Sequence, residues 1–184
     1  MKKNSSRRLF LRNSAMAASG LAFLSSITTL HALTSSPTPF EGYNPYAESK
    51  TDLRTSTLFG KHLSVSGKVY DPSGNIPQSN VLVEIWHLSP NSKKYRHRTK
   101  IRTDENGDYN FITDYPNNEE AKLPKVFFKL SSNNDSYFTE LILTDTGANI
   151  TGEHFARNKN LGKKLLPQKE TILNQSKVKL NFTL

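Results

Sequence analysis

Short alternating stretches of apolar and polar residues run from residue 62 to the end of the chain and limit the fold. In "HLSVSGKVYD" (62–71), Leu63, Val65 and Val69 share one face of an extended chain and polar residues occupy the other. Similar strands are predicted at 80–88, 109–113, 125–130, 138–144 and 177–184. The segments "DPSGN" and "TDENGD" predict turns.

No convincing helical stripe interrupts these strands, although "EHFARNKNLGKKLL" (153–166) predicts one turn or a short helix. Six or seven short strands joined by turns are typical of a sandwich of two sheets. The pattern therefore predicts an all-β fold, an antiparallel β-sandwich, over residues 59–184. Residues 33–58 are rich in Ser, Thr and Pro, which indicates a linker or an arm lying over a neighbouring surface.

The N-terminus has the composition of an export signal. Residues 1–12 carry five basic residues, a mildly apolar run follows at 15–30, and Ala32 ends a small-residue cleavage site. The stretch Ser6–Arg12 resembles the twin-arginine signal of bacteria. We expect residues 1–32 to be this signal, the mature protein to be periplasmic and no segment to cross the membrane. The alternative is a basic N-terminal helix.

Charge and cysteine content narrow the classes of function. Removing residues 1–32 lowers the net charge from +9 to +4 (9 − 5 = 4), which argues against a nucleic-acid partner. The chain has no cysteine. Disulfides, thiolate metal sites and a cysteine nucleophile are therefore excluded, and a metal would need His, Tyr, Asp or Glu.

A second set of residues indicates a family over residues 60–145. The matching positions are Gly67, Val69, Asp71, Gly74, Pro77, Val83–Trp86, Tyr95–His97, Thr103, Asp104, Gly107, Tyr109, Phe111, Thr113 and Thr139–Leu141. Together they resemble the intradiol ring-cleavage dioxygenases. The resemblance implies a β-sandwich holding one Fe(III) by two tyrosinates and two histidines, and opening of a catechol ring by O₂. Phenolate and imidazole suit a hard ferric ion.

The resemblance places the first tyrosine ligand at Tyr95. The second falls on Tyr115, at a spacing a few residues shorter than in the family. Aligned on Pro124, the two histidine positions are Val126 and Phe128 in "LPKVFFKL" (123–130). The family's arginine is replaced by Leu123, and its glutamine by Glu140.

Losing these four groups together favours a degenerate, non-catalytic binding or structural module without a cofactor. The alternative is an active ferric dioxygenase with a rebuilt site at Tyr95, His97 and His87. Otherwise the histidines, including His62 and His154, are ordinary hydrogen-bonded residues.

The basic stretch "KKYRHRTKIR" (93–102) forms a strip if it is extended, with Arg96, Arg98, Lys100 and Arg102 on one face. One interpretation is a solvated edge that resists aggregation between sheets. The other is an anion-binding strip facing an acidic envelope partner or a carboxylated ligand. The partners predicted are thus an aromatic or anionic small molecule and an envelope component; the sequence does not determine the oligomeric state.

Overall fold

A computed structural model of the protein describes residues 40–184 except residues 121 and 134. The predicted signal (1–32) and residues 33–39 of the predicted arm lie outside this part of the chain. Within it, no helix is long and apolar enough to cross a membrane.

The described residues form ten strands and a short helical region. The strands are β1 His62–Tyr70, β2 Leu82–His87, β3 His97–Arg102, β4 Asp108–Asp114, β5 Lys125–Ser131, β6 Ser136–Leu143, β7 Ala148–Ile150, β8 Gln168–Ile172, β9 Gln175–Lys179 and β10 Phe182–Thr183. Helix α1 spans Gly152–Asn158, and a 3-10 segment follows at Lys159–Lys164. The short helix lies where the sequence predicted one.

The strands form two five-stranded sheets within the described residues. In the first sheet β1 is central: it pairs with β4 on one side and with β9, which pairs with β8, on the other; β10 pairs with the end of β1. The second sheet has the order β3-β2-β5-β6-β7. The predicted all-β sandwich is confirmed.

One detail differs from a purely antiparallel arrangement. The C-terminal stretch predicted as a single strand is split into β9 and β10, which both run parallel to β1. Between them, Leu180 N–H donates to Ser66 O, while the Asn181 side chain accepts from Lys68 N–H. The side chain replaces a backbone partner at the break, so the C-terminal segment stays attached to β1.

One hydrophobic core lies between the sheets. β1 contributes Leu63 and Val65, β4 contributes Phe111, and the facing β5 contributes Val126 and Phe128, which are fully buried. Alternation then directs Lys125, Phe127 and Lys129 to the opposite face of β5. We call that side of the second sheet the outer face.

Residues 40–58, which we call the arm, contact both sheets of the sandwich. Lys50 N–H donates to the Thr99 hydroxyl on edge strand β3. Further along, Leu53 N–H donates to Ile112 O of β4, and the Leu53 side chain joins the core. The arm therefore bridges the open edge between the two sheets.

Candidate functional site

Tyr95 lies against the outer face, directly before β3. Its ring packs on Phe127 with the centroids 6.2 Å apart. Its hydroxyl donates to Glu119 Oε1 at 2.9 Å. Burial, followed by this hydrogen bond and the nearby carboxylate charge, raises the pKa of Tyr95 well above its ordinary value. The Tyr95 hydroxyl is thus already used as a donor to a carboxylate.

Glu119 is the residue whose side chain bonds the Tyr95 hydroxyl, and it lies four positions beyond Tyr115. Lys122 Nζ donates to its other oxygen. Hydrogen bonds from Lys122 and then from Tyr95 lower the pKa of Glu119. The carboxylate is therefore already engaged by two donors.

Tyr115 is elsewhere. Its ring packs against the core between the sheets and lies 5.7 Å from Lys169 Nζ. Burial raises its pKa. It lines a different pocket from Tyr95. The structure therefore does not bring the two predicted tyrosine ligands together.

Strand β5, to which the resemblance assigns the two histidine positions, has Lys125 and Phe127 on the side of Tyr95. Val126 and Phe128 are core residues, on the opposite face of β5 from Tyr95. The residues on the side of Tyr95 are Lys125 and Phe127, one position earlier in each case. Lys125 Nζ donates to Glu140 Oε1 at 2.8 Å. Val126 and Phe128, the positions that the alignment on Pro124 assigns to the histidines, therefore do not face Tyr95.

The space beside Tyr95, which we call the Tyr95 recess, is nearly filled. It is lined by Leu88, Tyr95, Asn117, Glu119, Lys122, Leu123, Lys125 and Phe127. Its volume is about 10 Å³, roughly the space that one water molecule needs. A catechol does not fit in this recess.

The residues of the Tyr95 recess do not fit a ferric ion. The Glu119 and Glu140 carboxylates are already bonded by Lys122 and Lys125, and the apolar ring of Phe127 offers no ligand. Across the described residues, no three His, Asp or Glu side chains are grouped as ligands of one metal ion.

The arm closes the outer face around Tyr95. Phe40 packs on Phe127 with ring centroids 4.9 Å apart, and Trp86 stacks on the same ring at 5.7 Å. Trp86 Nε1–H donates to Glu41 O. Gly42 lies so close to Tyr95 that a Cβ there would be 2.2 Å from a ring carbon. These contacts cover the aromatic row of the sheet with the chain's own residues.

A polar group anchors the arm beside this row. Tyr43 O–H donates to Glu84 Oε1 at 3.0 Å, and Lys129 Nζ donates to the Tyr43 oxygen at 2.9 Å. Lys129 also lies 3.5 Å from Glu84 Oε2. Because Glu84 and Lys129 are neighbours on β2 and β5, the hydroxyl of Tyr43 completes a pair that the sheet already brings together.

The rebuilt metal site at Tyr95, His97 and His87 does not assemble. β3 begins at His97, so Tyr95 lies before the strand and strand alternation does not place the two side chains on one face. His97 and His87 stack with centroids 4.9 Å apart and point to the first sheet, where His87 Nε2 bonds the Thr113 hydroxyl. Burial, as the main cause, lowers the pKa of His87 to about 3.

The predicted basic strip is formed. On β3 the buried residues alternate with Arg98, Lys100 and Arg102, and Arg96 precedes them at the same spacing. Arg96 and Arg98 line an open groove of about 410 Å³ with Gly42, Lys94 and Tyr95. Within the described part of the chain, the three basic residues of this groove form no ion pair: Lys94, Arg96 and Arg98.

Sequence reasoning missed Glu119, Lys125 and the aromatic residues of the arm. For the arm, "PFEGYNPY" (39–46) is rich in aromatic residues, and such residues in a Pro-containing segment indicate contact with an apolar surface. No pattern in the sequence indicated that Lys125 and Phe127 lie beside Tyr95, because this depends on which face of β5 packs against the core.

Comparison with solved structures shows the same fold in intradiol enzymes. The dioxygenase domain of a dioxygenase–carbohydrate-binding protein fusion from Streptomyces sp. SirexAA-E has a TM-score of 0.60 at 19% identity, over 80% of this chain and 96% of that one. Intradiol ring-cleavage dioxygenase from Tetranychus urticae has a TM-score of 0.56 at 14% identity, over 77% and 88%.

A third structure, 3-chlorocatechol 1,2-dioxygenase from Rhodococcus opacus 1CP, has a TM-score of 0.56 at 20% identity, over 77% of this chain and 68% of that one. No family model and no curated protein sequence matches the chain. Identities this low establish the fold alone. The protein therefore has the fold of the intradiol dioxygenases, with a closed, lysine-lined recess beside Tyr95.

Proposed function

We propose that the outer face of this protein does not cleave catechols and serves as a non-catalytic binding or structural surface on a dioxygenase-like fold. The observation that carries the proposal is the volume of the Tyr95 recess, about 10 Å³. Pockets for small molecules are typically some 300–1,000 Å³. At its wall, Tyr95 and Lys122 already donate to the two oxygens of Glu119, so this carboxylate is not free to bind a ferric ion.

The groove beside the recess supports an anionic ligand. Lys94, Arg96 and Arg98 surround about 410 Å³ of open space, and the Tyr95 ring forms part of its wall. Guanidinium groups bind carboxylates and phosphates through paired hydrogen bonds. We therefore propose that the basic strip binds a carboxylated small molecule or an acidic envelope polymer.

The ring-cleavage proposal is tested on the purified protein expressed in iron-replete medium. Metal analysis and the visible spectrum are recorded, followed by O₂ uptake with catechol. We expect colourless, folded protein without stoichiometric iron and without O₂ uptake. Near-stoichiometric iron with a tyrosinate-to-iron absorption band and catechol turnover would instead establish the active ferric enzyme.

Binding to the strip is tested separately with a polymer of stated chemistry. Polygalacturonate is titrated against the protein at two salt concentrations. Arg96→Ala with Arg98→Ala should weaken binding, and Lys163→Ala with Lys177→Ala, on other elements, should leave it nearly unchanged. Equal binding of polygalacturonate by both double variants would show that the basic strip does not bind it.

We also propose that the protein is exported to the periplasm. Support comes from the basic opening, the apolar run and the two adjacent arginines of residues 1–32. Arg7→Lys with Arg8→Lys should keep the protein in the cytoplasmic fraction if a twin-arginine route is used. Unchanged fractionation of that variant would contradict the route.

A further inference from the structure

A large cleft lies at one end of the sandwich and borders the Tyr95 recess, since Asn117 lines both. The arm, the loop after β2 and the segment after β4 form its walls, and its volume is about 980 Å³. Its lining includes Ser89, His97 and Asp114. These three are at most 9% exposed, so they form the polar floor of the cleft. We call it the end cleft.

The three side chains are joined in series. His97 Nδ1 lies 2.8 Å from Ser89 Oγ, and His97 Nε2 lies 3.0 Å from Asp114 Oδ2. Both ring nitrogens are engaged, which determines the orientation of the imidazole. β3 positions the histidine and β4 positions the aspartate.

The hydrogen bonds also determine the tautomer. The ionised Asp114 carboxylate can only accept, so His97 Nε2 carries the proton and donates it. His97 Nδ1 is then the acceptor of the Ser89 hydroxyl. A neutral imidazole accepting from a serine and oriented by an aspartate is the arrangement of an activated nucleophile. The two ring nitrogens have exchanged roles relative to serine proteases.

Backbone groups hold both ends of this series. Thr55 N–H donates to Asp114 Oδ2 at 2.8 Å, which ties the carboxylate to the arm. Arg96 N–H donates to Ser89 Oγ at 3.1 Å. Because the Ser89 hydroxyl accepts from Arg96 N–H and donates to His97, its orientation is determined. Two backbone groups, one at each end, therefore position the series.

We propose that Ser89 and His97 form a catalytic pair for acyl transfer, positioned by Asp114, in the end cleft. Ser89 Oγ attacks the carbonyl carbon of a carboxylic ester, and its proton passes to His97 Nδ1. The ester C–O bond breaks and the alkoxide leaves with that proton. Water then attacks the acyl-serine, with His97 again taking and returning the proton, to release the acid and restore Ser89.

The charge of the end cleft selects the substrate class. Lys50, Lys61 and Arg96 line it, whereas its aspartate is engaged by His97 and Thr55. A cleft with this surplus of positive charge favours an ester that carries a carboxylate. Asn117 lines both the end cleft and the Tyr95 recess, and Arg96 lines both the end cleft and the basic groove, but Ser89, His97 and Asp114 line only the end cleft.

The test uses the full protein and a fluorophosphonate probe, which labels activated serines covalently. Intact-mass measurement and peptide mapping should find one adduct, at Ser89. His97→Asn should lower the labelling rate by about 100-fold, the usual contribution of a general base. The matched control Ser92→Ala, which changes another serine lining the cleft, should label at the normal rate.

Hydrolysis of two nitrophenyl esters tests the substrate class. Lys61→Ala should raise KM for the succinyl half-ester about tenfold more than it raises KM for the acetyl ester, because only the former carries a carboxylate for Lys61 to bind. Circular dichroism checks that each variant is folded. Absence of a Ser89 adduct on the folded, unmodified protein, or equal labelling of His97→Asn, overturns the proposal.

Discussion

Phe127 and Phe128 are adjacent in sequence but belong to different surfaces of the protein. Phe128 is fully buried and packs against Phe111 and Phe182 in the core. Phe127 stacks on Trp86 beneath the arm. Each strand residue is thus assigned to the core or to the outer face by parity, and a shift of one position changes its whole environment.

Histidines introduced on the two faces should behave differently. Val126→His with Phe128→His would bury two imidazoles without partners, so we expect the unfolding free energy to fall by about 4 kcal/mol or more. Lys125→His with Phe127→His places two imidazoles beside Tyr95 and Glu119, so this double variant should bind added Zn²⁺ and the core variant should not. Urea unfolding measures the stability of each variant, and metal analysis measures its zinc content. Zinc uptake by the core pair instead would contradict the assignment of faces.

His154 gives the fold a dependence on acid pH. Burial lowers its pKa to about 4 from an unfolded value of 6.5. Between these pH values the unfolded chain binds the proton more readily, so the unfolding free energy should fall as pH falls from 6.5 to 4, by about 1.4 kcal/mol per unit at most.

Thermal melts across this pH range of the wild type and His154→Gln measure that dependence. In the variant, the unfolding free energy should depend less steeply on pH than in the wild type. The dependence that remains should come from His87, because burial lowers its pKa to about 3. An unchanged slope in the variant would show that His154 does not contribute.

At the scale of elements, the arm covers the outer face of the second sheet. Tyr43 donates to Glu84, and Glu41 accepts from Trp86, so the arm closes this face without forming a strand there. Gly42 makes this possible at one position: its φ is +81°, and the Tyr95 ring occupies the space of a side chain.

Gly42→Ala should therefore displace the arm. Trp86 is the single tryptophan of the chain and bonds the arm, so its fluorescence should shift to longer wavelength as the indole becomes exposed. Gly60→Ala is the matched control, because its φ is +104° and nothing lies within 4 Å of its Cβ position. Both variants carry backbone strain of about 1 kcal/mol. A shift of equal size in the control would contradict the clash with Tyr95.

At the scale of the whole molecule, the two sheets share one core and the C-terminal segment connects them. Phe182 of β10 contacts Tyr109 of β4 and Phe128 of β5, from different sheets. It also packs on His154 of α1. The helical region and both sheets therefore depend on a residue two positions from the C-terminal residue.

Phe182→Ala should lower the unfolding free energy by about 3–5 kcal/mol, because it leaves a cavity in the shared core. Trp86 fluorescence, which reports the second sheet, and far-ultraviolet circular dichroism should give the same urea midpoint. Ile172→Ala, at a largely exposed position, is the control and should change stability by less than about 0.5 kcal/mol. Separate midpoints for the two probes would contradict a single cooperative core.

The strands, turns and short helix were predictable from the sequence because they depend on local properties. Alternation along β1 and β4 has a period of two, and the turn at "TDENGD" needs only its own residues. The sandwich itself followed from the order of such elements. Parity also predicted that Arg96, Arg98, Lys100 and Arg102 share a side.

The contacts that define the sites depend on register and on loops, and only the tertiary structure decided them. Whether Phe127 or Phe128 meets Tyr95 depends on which face of β5 lies on the core. Glu119 reaches Tyr95 across 24 residues, and Ser89, His97 and Asp114 converge from a loop and two strands. The sequence alone determined the elements, since alternation is local; packing determined their partners, since no local pattern records which loops and faces come together.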